Sequence, residues 1–254
     1  MSLPLFYSPG YDPGRQEVIL DEDNSRHIVQ VLRMKRGDLL RLTNGRGALL
    51  TAEIIEDHKK KCCVAIRSAT PVAAPEPRVT IAISPLKNAS RFEWFVEKAT
   101  EIGVTGIIPL VCDRTERTTA RMDRLQQIAV SAMLQSQQGW LPRLADPMPF
   151  SELIRSNGSL PDFPARYIAH CLGTPRPTAS LGAIPHPSAT GGFDPATTRA
   201  DRSASLILIG PEGDFSPGEV DAALTAGFVP VTLGSNRLRT ETAGVVAAAL
   251  LCIG

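Results

Sequence analysis

From Val79 onward, short β-prone runs alternate with amphipathic stretches, and that alternation constrains the fold more than any other feature. The runs are VTIAIS (79–84), TGIIPLVC (105–112), RYIAHCL (166–172), SLILIG (205–210) and FVPVTLG (228–234). Between and after them fall four helical patterns: SRFEWFVEKATEIG, RMDRLQQIAVSAMLQSQ, SPGEVDAALTAG and TETAGVVAAALLCI. In the first pattern Phe92, Phe95, Val96 and Ala99 share one face, and Gly103 ends the helix. Strands that alternate with helices predict an α/β domain built on a parallel sheet. The last pattern is apolar nearly all round and predicts a helix that must be buried, in the domain or against a second subunit.

Residues 1 to about 72 read differently. EVIL, DLLRLT, ALLTAEII and CCVAI are short β-prone runs separated by turn signals such as Arg36-Gly37-Asp38 and Asn44-Gly45. One helix fits Ser25 to Met34, with Asn24 or Ser25 as its cap. This pattern predicts a small barrel over 1–72. The proline-rich stretch TPVAAPEPR (70–78) predicts a linker at 73–78, and 79–254 forms the second domain. Residues 174 to about 204 are rich in Pro, Gly, Ser and Thr, have no period, and predict an exposed insertion.

In the 254-residue chain the net charge is +1, which neither calls for nor excludes a polyanionic partner. No apolar run reaches the ~18 residues of a membrane span, and the first residues, MSLPLFYSPG, lack the pattern of a signal peptide. The five cysteines show no CxxC spacing, which predicts reduced thiols, a cytoplasmic protein and no metal site.

Two strand ends carry unusual loops, Gly210-Pro-Glu-Gly-Asp-Phe215 and Leu233 to Ala243. In an open parallel sheet, ligands bind beyond the carboxyl ends of the strands. Glycine lets backbone approach a ligand, proline stiffens the turn, and each loop leads into a helix N-terminus. Either loop alone is also compatible with an ordinary strand-to-helix turn. Neither is a GxGxxG or GxxxxGK[ST] phosphate signature.

Together the loops are more specific. The pattern LILIGPEGDFSPGEVDAALTAGFVPVTLGSNRLRTETAGVVAAALL resembles the C-terminal signature of the SPOUT methyltransferases, and within them the family that methylates uracil N3 in 16S ribosomal RNA. KNASRFEWFVEKATEIGVTGIIPL and QSQQGWLP agree with that family, and SRHIVQVLRMKRGD resembles its N-terminal domain.

The resemblance implies an α/β domain with a C-terminal trefoil knot, preceded by a small PUA-like β-barrel that binds RNA. It implies S-adenosylmethionine as cofactor and S-adenosylhomocysteine as product. The cofactor would be held by three loops: Ala169, His170, Cys171 and Leu172; Ile209, Gly210, Pro211, Glu212, Gly213 and Phe215; and Leu233, Gly234, Leu238, Arg239, Thr240, Thr242 and Ala243. It implies a homodimer acting on 16S rRNA in an assembled small ribosomal subunit, away from membranes. The sequence departs from the family pattern at Asp214, where a second glycine is usual, and at Asn236-Arg237, where Arg then Ile is common.

Methylating uracil N3 requires loss of a weakly acidic proton or stabilisation of the enolate. Arg239 is the candidate for stabilising the developing charge, and Glu212 and Glu241 are the candidate bases. Glu241 also suits a purely electrostatic place at a helix N-terminus. Candidate RNA contacts are Arg26, His27, Arg33, Lys35 and Arg36, then Lys87, Arg91, Arg114 and Arg117. Arg114, Arg117, Arg121 and Arg124 would share one face if helical. Two other readings stay open: ribose 2′-hydroxyl methylation, and an RNA-binding protein that has lost catalysis.

Overall fold

The computed structural model describes residues 3–12, 14–155, 163–171, 179–181 and 204–253. The chain divides into two compact units. One takes in the residues up to Ala74 together with Met133–Leu141, and the other holds Pro75–Ala132 and the residues from Pro142 on.

The first unit is a mixed five-stranded sheet. Its elements are β1 (Leu5–Tyr7), β2 (Glu17–Ile19), α1 (Glu22–Arg26), a π-helical turn over His27–Val31, β3 (Leu39–Thr43), β4 (Ala48–Glu56) and β5 (Cys63–Pro71). The order across the sheet is β1-β3-β4-β5-β2, with β1 parallel to β3 and the other pairs antiparallel. β1 and β2 are its edges, so the sheet is a half-barrel rather than a closed one. Leu50, Ala52 and Ile54 alternate along β4 and point into a core with Phe6, Leu20, Ile28, Leu40, Leu42 and Val64. The helix starts earlier than the sequence predicts. Asp21 caps α1 by accepting the Asn24 N–H at 2.8 Å, and the Ser25 to Met34 pattern resolves into its last turn and the π-helical turn. Ser25 is buried. Its hydroxyl donates to the Leu20 carbonyl (3.2 Å) and accepts from the Cys62 N–H (2.9 Å). The 133–141 segment joins this unit through Trp140, whose indole N–H donates to the Val72 carbonyl at 3.1 Å.

The second unit follows the predicted alternation. Its elements are β6 (Arg78–Ile83), α2 (Ala89–Ile102), β7 (Gly106–Val111), α3 (Met122–Gln135, whose last residues belong to the first unit), β8 (Arg143–Leu144), β9 (Met148–Pro149) and α4 (Phe150–Arg155). Then come β10 (Ala165–Ala169), β11 (Ala179–Ser180), β12 (Ala204–Ile209), α5 (Pro217–Thr225), β13 (Val229–Thr232) and α6 (Thr240–Cys252). Every strand pair is parallel, in the order β11-β13-β10-β12-β6-β7-β8 with β9 beside the end of β7.

A parallel sheet is covered on both faces, so its strands are apolar without alternation. All six residues of β12 are buried. Leu206 and Leu208 join Phe150, Phe215, Val220 and Phe228 on one face. α2 and α6 pack together on the other. α2 buries the four predicted residues and Thr100, and Gly103 closes it at φ +104°. The predicted insertion lies mostly outside the described residues, but Ala179–Ser180 pair with β13, so part of it is strand rather than irregular chain. α6 is not buried all round. Thr240, Glu241, Gly244, Ala247 and Ala248 form its buried side, the rest of the helix is half-buried, and Ile253 just beyond it is 71% exposed.

Gly244 sets how closely α6 approaches the sheet. A Cβ there would stand 2.6 Å from the Phe95 ring and 2.7 Å from Ile83. Both neighbours are fully buried and cannot swing clear. Gly244→Ala should therefore cost about 1–3 kcal/mol of stability in urea unfolding. Gly218→Ala, where a Cβ meets nothing within 4 Å, should leave the midpoint close to that of the parent chain.

Candidate active site

β13, β10 and β12 lie side by side and run parallel, so their carboxyl ends open on one edge of the sheet. Ala169 stands opposite Ile209 on one side and Val231 on the other. Beyond these last rungs the three chains separate and enclose a cleft of about 490 Å³. It lies wholly within the second unit.

Of the expected cofactor residues, Ala169, His170, Cys171, Ile209, Gly210, Pro211, Glu212, Leu233, Gly234, Leu238, Arg239, Thr240 and Ala243 line this cleft. Gly213, Phe215 and Thr242 do not line it, and Leu172 lies outside the described residues. Phe215 is fully buried, with its ring 3.0 Å from where a Gly210 Cβ would sit, so it backs the loop from the core. Arg91, Asp214, Val231, Thr232, Asn236 and Arg237 complete the lining. Val231 and Thr232 follow from strand register, which a single sequence does not reveal.

The loop after β12 is held from several directions. Thr240 donates its hydroxyl to the Gly210 carbonyl at 3.1 Å, joining the loop to the start of α6. Arg237 donates to the Glu212 carbonyl at 3.1 Å. Arg114 donates to the Gly213 carbonyl at 2.7 Å. At its far end Ser216 and Glu219 form a capping box on α5. The Asp113 N–H reaches the Glu219 carboxylate at 2.9 Å, and the Ser216 hydroxyl donates to the Asp113 carboxylate at 2.6 Å. Asp214 has a left-handed backbone, φ +62°.

The charged groups fall into two sets. Arg91 stands 3.4 Å from a Glu212 oxygen and 3.8 Å from a Glu241 oxygen, so it bridges the two candidate bases. Glu212 is exposed and lines the cleft. Glu241 is 6% exposed, sits in the first turn of α6 and does not line the cleft, and among the described residues its second oxygen has no hydrogen-bond partner. Arg239 lines the cleft and is exposed, and among the described residues no ion pair or hydrogen bond holds its guanidinium.

The candidate RNA contacts spread over both units. Arg26, His27, Arg33, Lys35 and Arg36 are exposed in the first. Arg26 pairs with Glu22 at 2.9 Å, and the His27 ring packs edge-on to Phe6 with centroids 5.9 Å apart. In the second unit Lys87 pairs with Glu116 at 3.0 Å, and Arg117 donates to the Thr119 carbonyl. Arg91 lies in the cleft, and Arg114 is tied to the loop after β12. Arg114, Arg117, Arg121 and Arg124 do not share a helical face. α3 begins only at Met122, and Arg121 and Arg124 both turn to Glu93. Among the described residues no cluster of three His, Cys, Asp or Glu could hold a metal, and no helix is long and apolar enough to cross a membrane.

Residues 74–252 match the model of an RNA methyltransferase domain, and residues 20–67 match that of an RNA methyltransferase PUA domain. The chain is 29% identical over 235 residues to a ribosomal RNA small subunit methyltransferase E from Synechocystis sp., covering 91% of this chain and 71% of that protein. It is similar to the crystal structure of a probable rRNA methyltransferase from Porphyromonas gingivalis, at TM-score 0.82 and 40% identity over 97% of this chain and 95% of that one. It is also similar to the crystal structure of a ribosomal RNA small subunit methyltransferase E from Neisseria gonorrhoeae bound to S-adenosyl methionine, at TM-score 0.79 and 28% identity over 98% and 96% of the two chains.

The thiols of this chain are sharply unequal. Burial pushes Cys62 up to about 11 and Cys252 up to about 12, and it raises Cys112 further. Cys171 is exposed and lines the cleft. Iodoacetamide at neutral pH should therefore alkylate Cys171 first, and a ligand filling the cleft should slow that step. Peptide mapping by mass spectrometry reads both effects.

Proposed function

We infer the reaction from one premise: the chain belongs to the RNA methyltransferase family. It transfers a methyl group from S-adenosylmethionine to N3 of a uracil in 16S ribosomal RNA of the small subunit. The observation that carries this reading is the cleft itself, where three parallel strand ends meet a family match running from residue 74 to 252.

The cleft fits the methyl donor. About 490 Å³ lies within the range of small-molecule sites. Ile209, Val231, Leu233 and Leu238 offer apolar walls, the loops offer backbone groups, and Glu212 brings a carboxylate to a cationic ligand. When bound, S-adenosylmethionine supplies an electrophilic methyl carbon on a sulfonium. The chain's task is to place the uracil edge and manage its N3 proton. Arg239 faces the charge that develops on the uracil oxygens; what supports this is a guanidinium that no carboxylate among the described residues holds. Glu212 is the better placed base, because it is exposed in the cleft. Glu241, buried and adjoining Arg91, acts at the helix terminus instead.

The exposed cations of the first unit neutralise RNA phosphates, supported by the local excess of Arg26, Arg33, Lys35, Arg36, Arg41 and Arg46 over Asp38. The enzyme works as a homodimer on an assembled subunit in the cytoplasm. The half-buried outer side of α6 and exposed Ile253 support the pairing. The trefoil knot is part of the same reading. Its support is the path from β12 to β13, which passes over β10 to reach that strand's other side.

Incubation with unmodified small subunits and S-adenosylmethionine should yield 3-methyluridine in digested RNA by nucleoside mass spectrometry. A 2′-O-methyl nucleoside would move the activity to ribose, and no methyl product would remove it. Arg239→Ala should lower turnover roughly hundredfold while donor affinity changes far less. Equal losses in both would place Arg239 in donor binding instead.

A further inference from the structure

We propose that the Asp214 carboxylate is a positioning group that ties the loop after β10 to the loop after β12, and so sets the affinity of the cleft for S-adenosylmethionine. The proposal rests on the function given above. One carboxylate oxygen accepts the N–H of Cys171 at 2.9 Å, and the other accepts the N–H of Phe215 at 2.8 Å. Cys171 lies in the loop after β10 and lines the cleft, whereas Phe215 lies in the loop after β12 and backs it from the core. The ladder between β10 and β12 ends at the pair Ala169 and Ile209, so it fixes nothing beyond that rung. Asp214 carries the connection two residues further, to Cys171.

The wall that bears Asp214 is itself fixed. The Asp214 N–H closes a turn on the Pro211 carbonyl at 2.9 Å, and Arg114 holds the Gly213 carbonyl from outside the cleft. Proline supplies stiffness at the head of that turn. The carboxylate therefore projects from a rigid support toward a loop whose residue Cys171 is exposed. The left-handed backbone at φ +62° is uncommon for a residue with a side chain, though aspartate tolerates it better than most. Two charge-assisted hydrogen bonds offset that cost, and such bonds are about twice as strong as neutral ones. A wall already held in place spares the donor the cost of ordering it.

The geometry supplies a clean variant. Glycine adopts φ > 0 without strain, so Asp214→Gly keeps the turn while removing both acceptors. Asp214→Asn keeps one side-chain acceptor and loses the charge. In ligand-free protein, hydrogen exchange at the Cys171 amide should accelerate about tenfold or more in Asp214→Gly, with a smaller change in Asp214→Asn. By calorimetry the Kd for S-adenosylmethionine should rise roughly tenfold in the glycine variant, and the loss should appear in KM for the donor rather than in kcat. Unchanged exchange and unchanged Kd would overturn the proposal. A fall in kcat with Kd intact would overturn it too, by placing Asp214 at the reacting atoms. A parent chain that binds no S-adenosylmethionine would instead overturn the function beneath it, while the exchange rates would still show whether the tie exists.

Discussion

The cleft depends on one set of backbone hydrogen bonds, the parallel ladders that flank β10. β12 pairs with it from Ala165 to Ala169, and β13 from Tyr167 to Ala169. A parallel ladder fixes the direction and register of both neighbours at once. It delivers three strand ends, remote in sequence, to one place with one height. Short apolar strands give these ladders a buried setting, since Leu206, Ile207, Leu208 and Ile168 are all at most 2% exposed. Without water to compete, the ladder hydrogen bonds have no alternative partners. The loops beyond can then carry glycine, proline and charge without supporting the sheet themselves.

The arginines around this edge divide the work by what already occupies them. Arg114 and Arg237 give hydrogen bonds to backbone carbonyls of the loop after β12. Arg91 shares itself between two carboxylates. Arg239 lines the cleft with no ion pair or hydrogen bond on its guanidinium among the described residues. A guanidinium has five N–H donors in a fixed fork, so it serves equally well as a brace for carbonyls and as a reader of oxygen edges. Which service a given arginine performs is decided by distance to the loop, not by residue type.

That distinction marks the boundary of what the sequence discloses. Periodicity is local, so the long elements were legible: Phe92, Phe95, Val96 and Ala99 are the buried face of α2, and Gly103 is its left-handed cap. The strand ends that line the cleft were legible for the same reason, because Gly210 and Gly234 punctuate apolar runs. β1, β8 and β9 were not, because two or three residues carry no period and exist only through pairing with distant strands. Arg114 read as part of a basic helical face because spacing alone cannot show that the chain stays irregular until Met122. Asp214 read only as a departure from the usual glycine, since its partner Cys171 lies 43 residues away in the chain.

The segment Met133–Leu141 gives the first unit a property that its strands alone would not suggest. Trp140 bridges to Arg46, its ring covers Gly47 with no room for a Cβ, and its indole holds the Val72 carbonyl. Leu141 adds a backbone bond to Gly45 at 3.0 Å. Chains emerge from the ribosome in order, and domains made of one continuous stretch fold as they appear. Here the five-stranded sheet is fully translated while its last component is still some sixty residues from synthesis, a gap of roughly several seconds at typical elongation rates. The patch around Gly45 and Gly47 therefore waits for Trp140 and Leu141 on the growing chain until the strand β7 and all of α3 have been made.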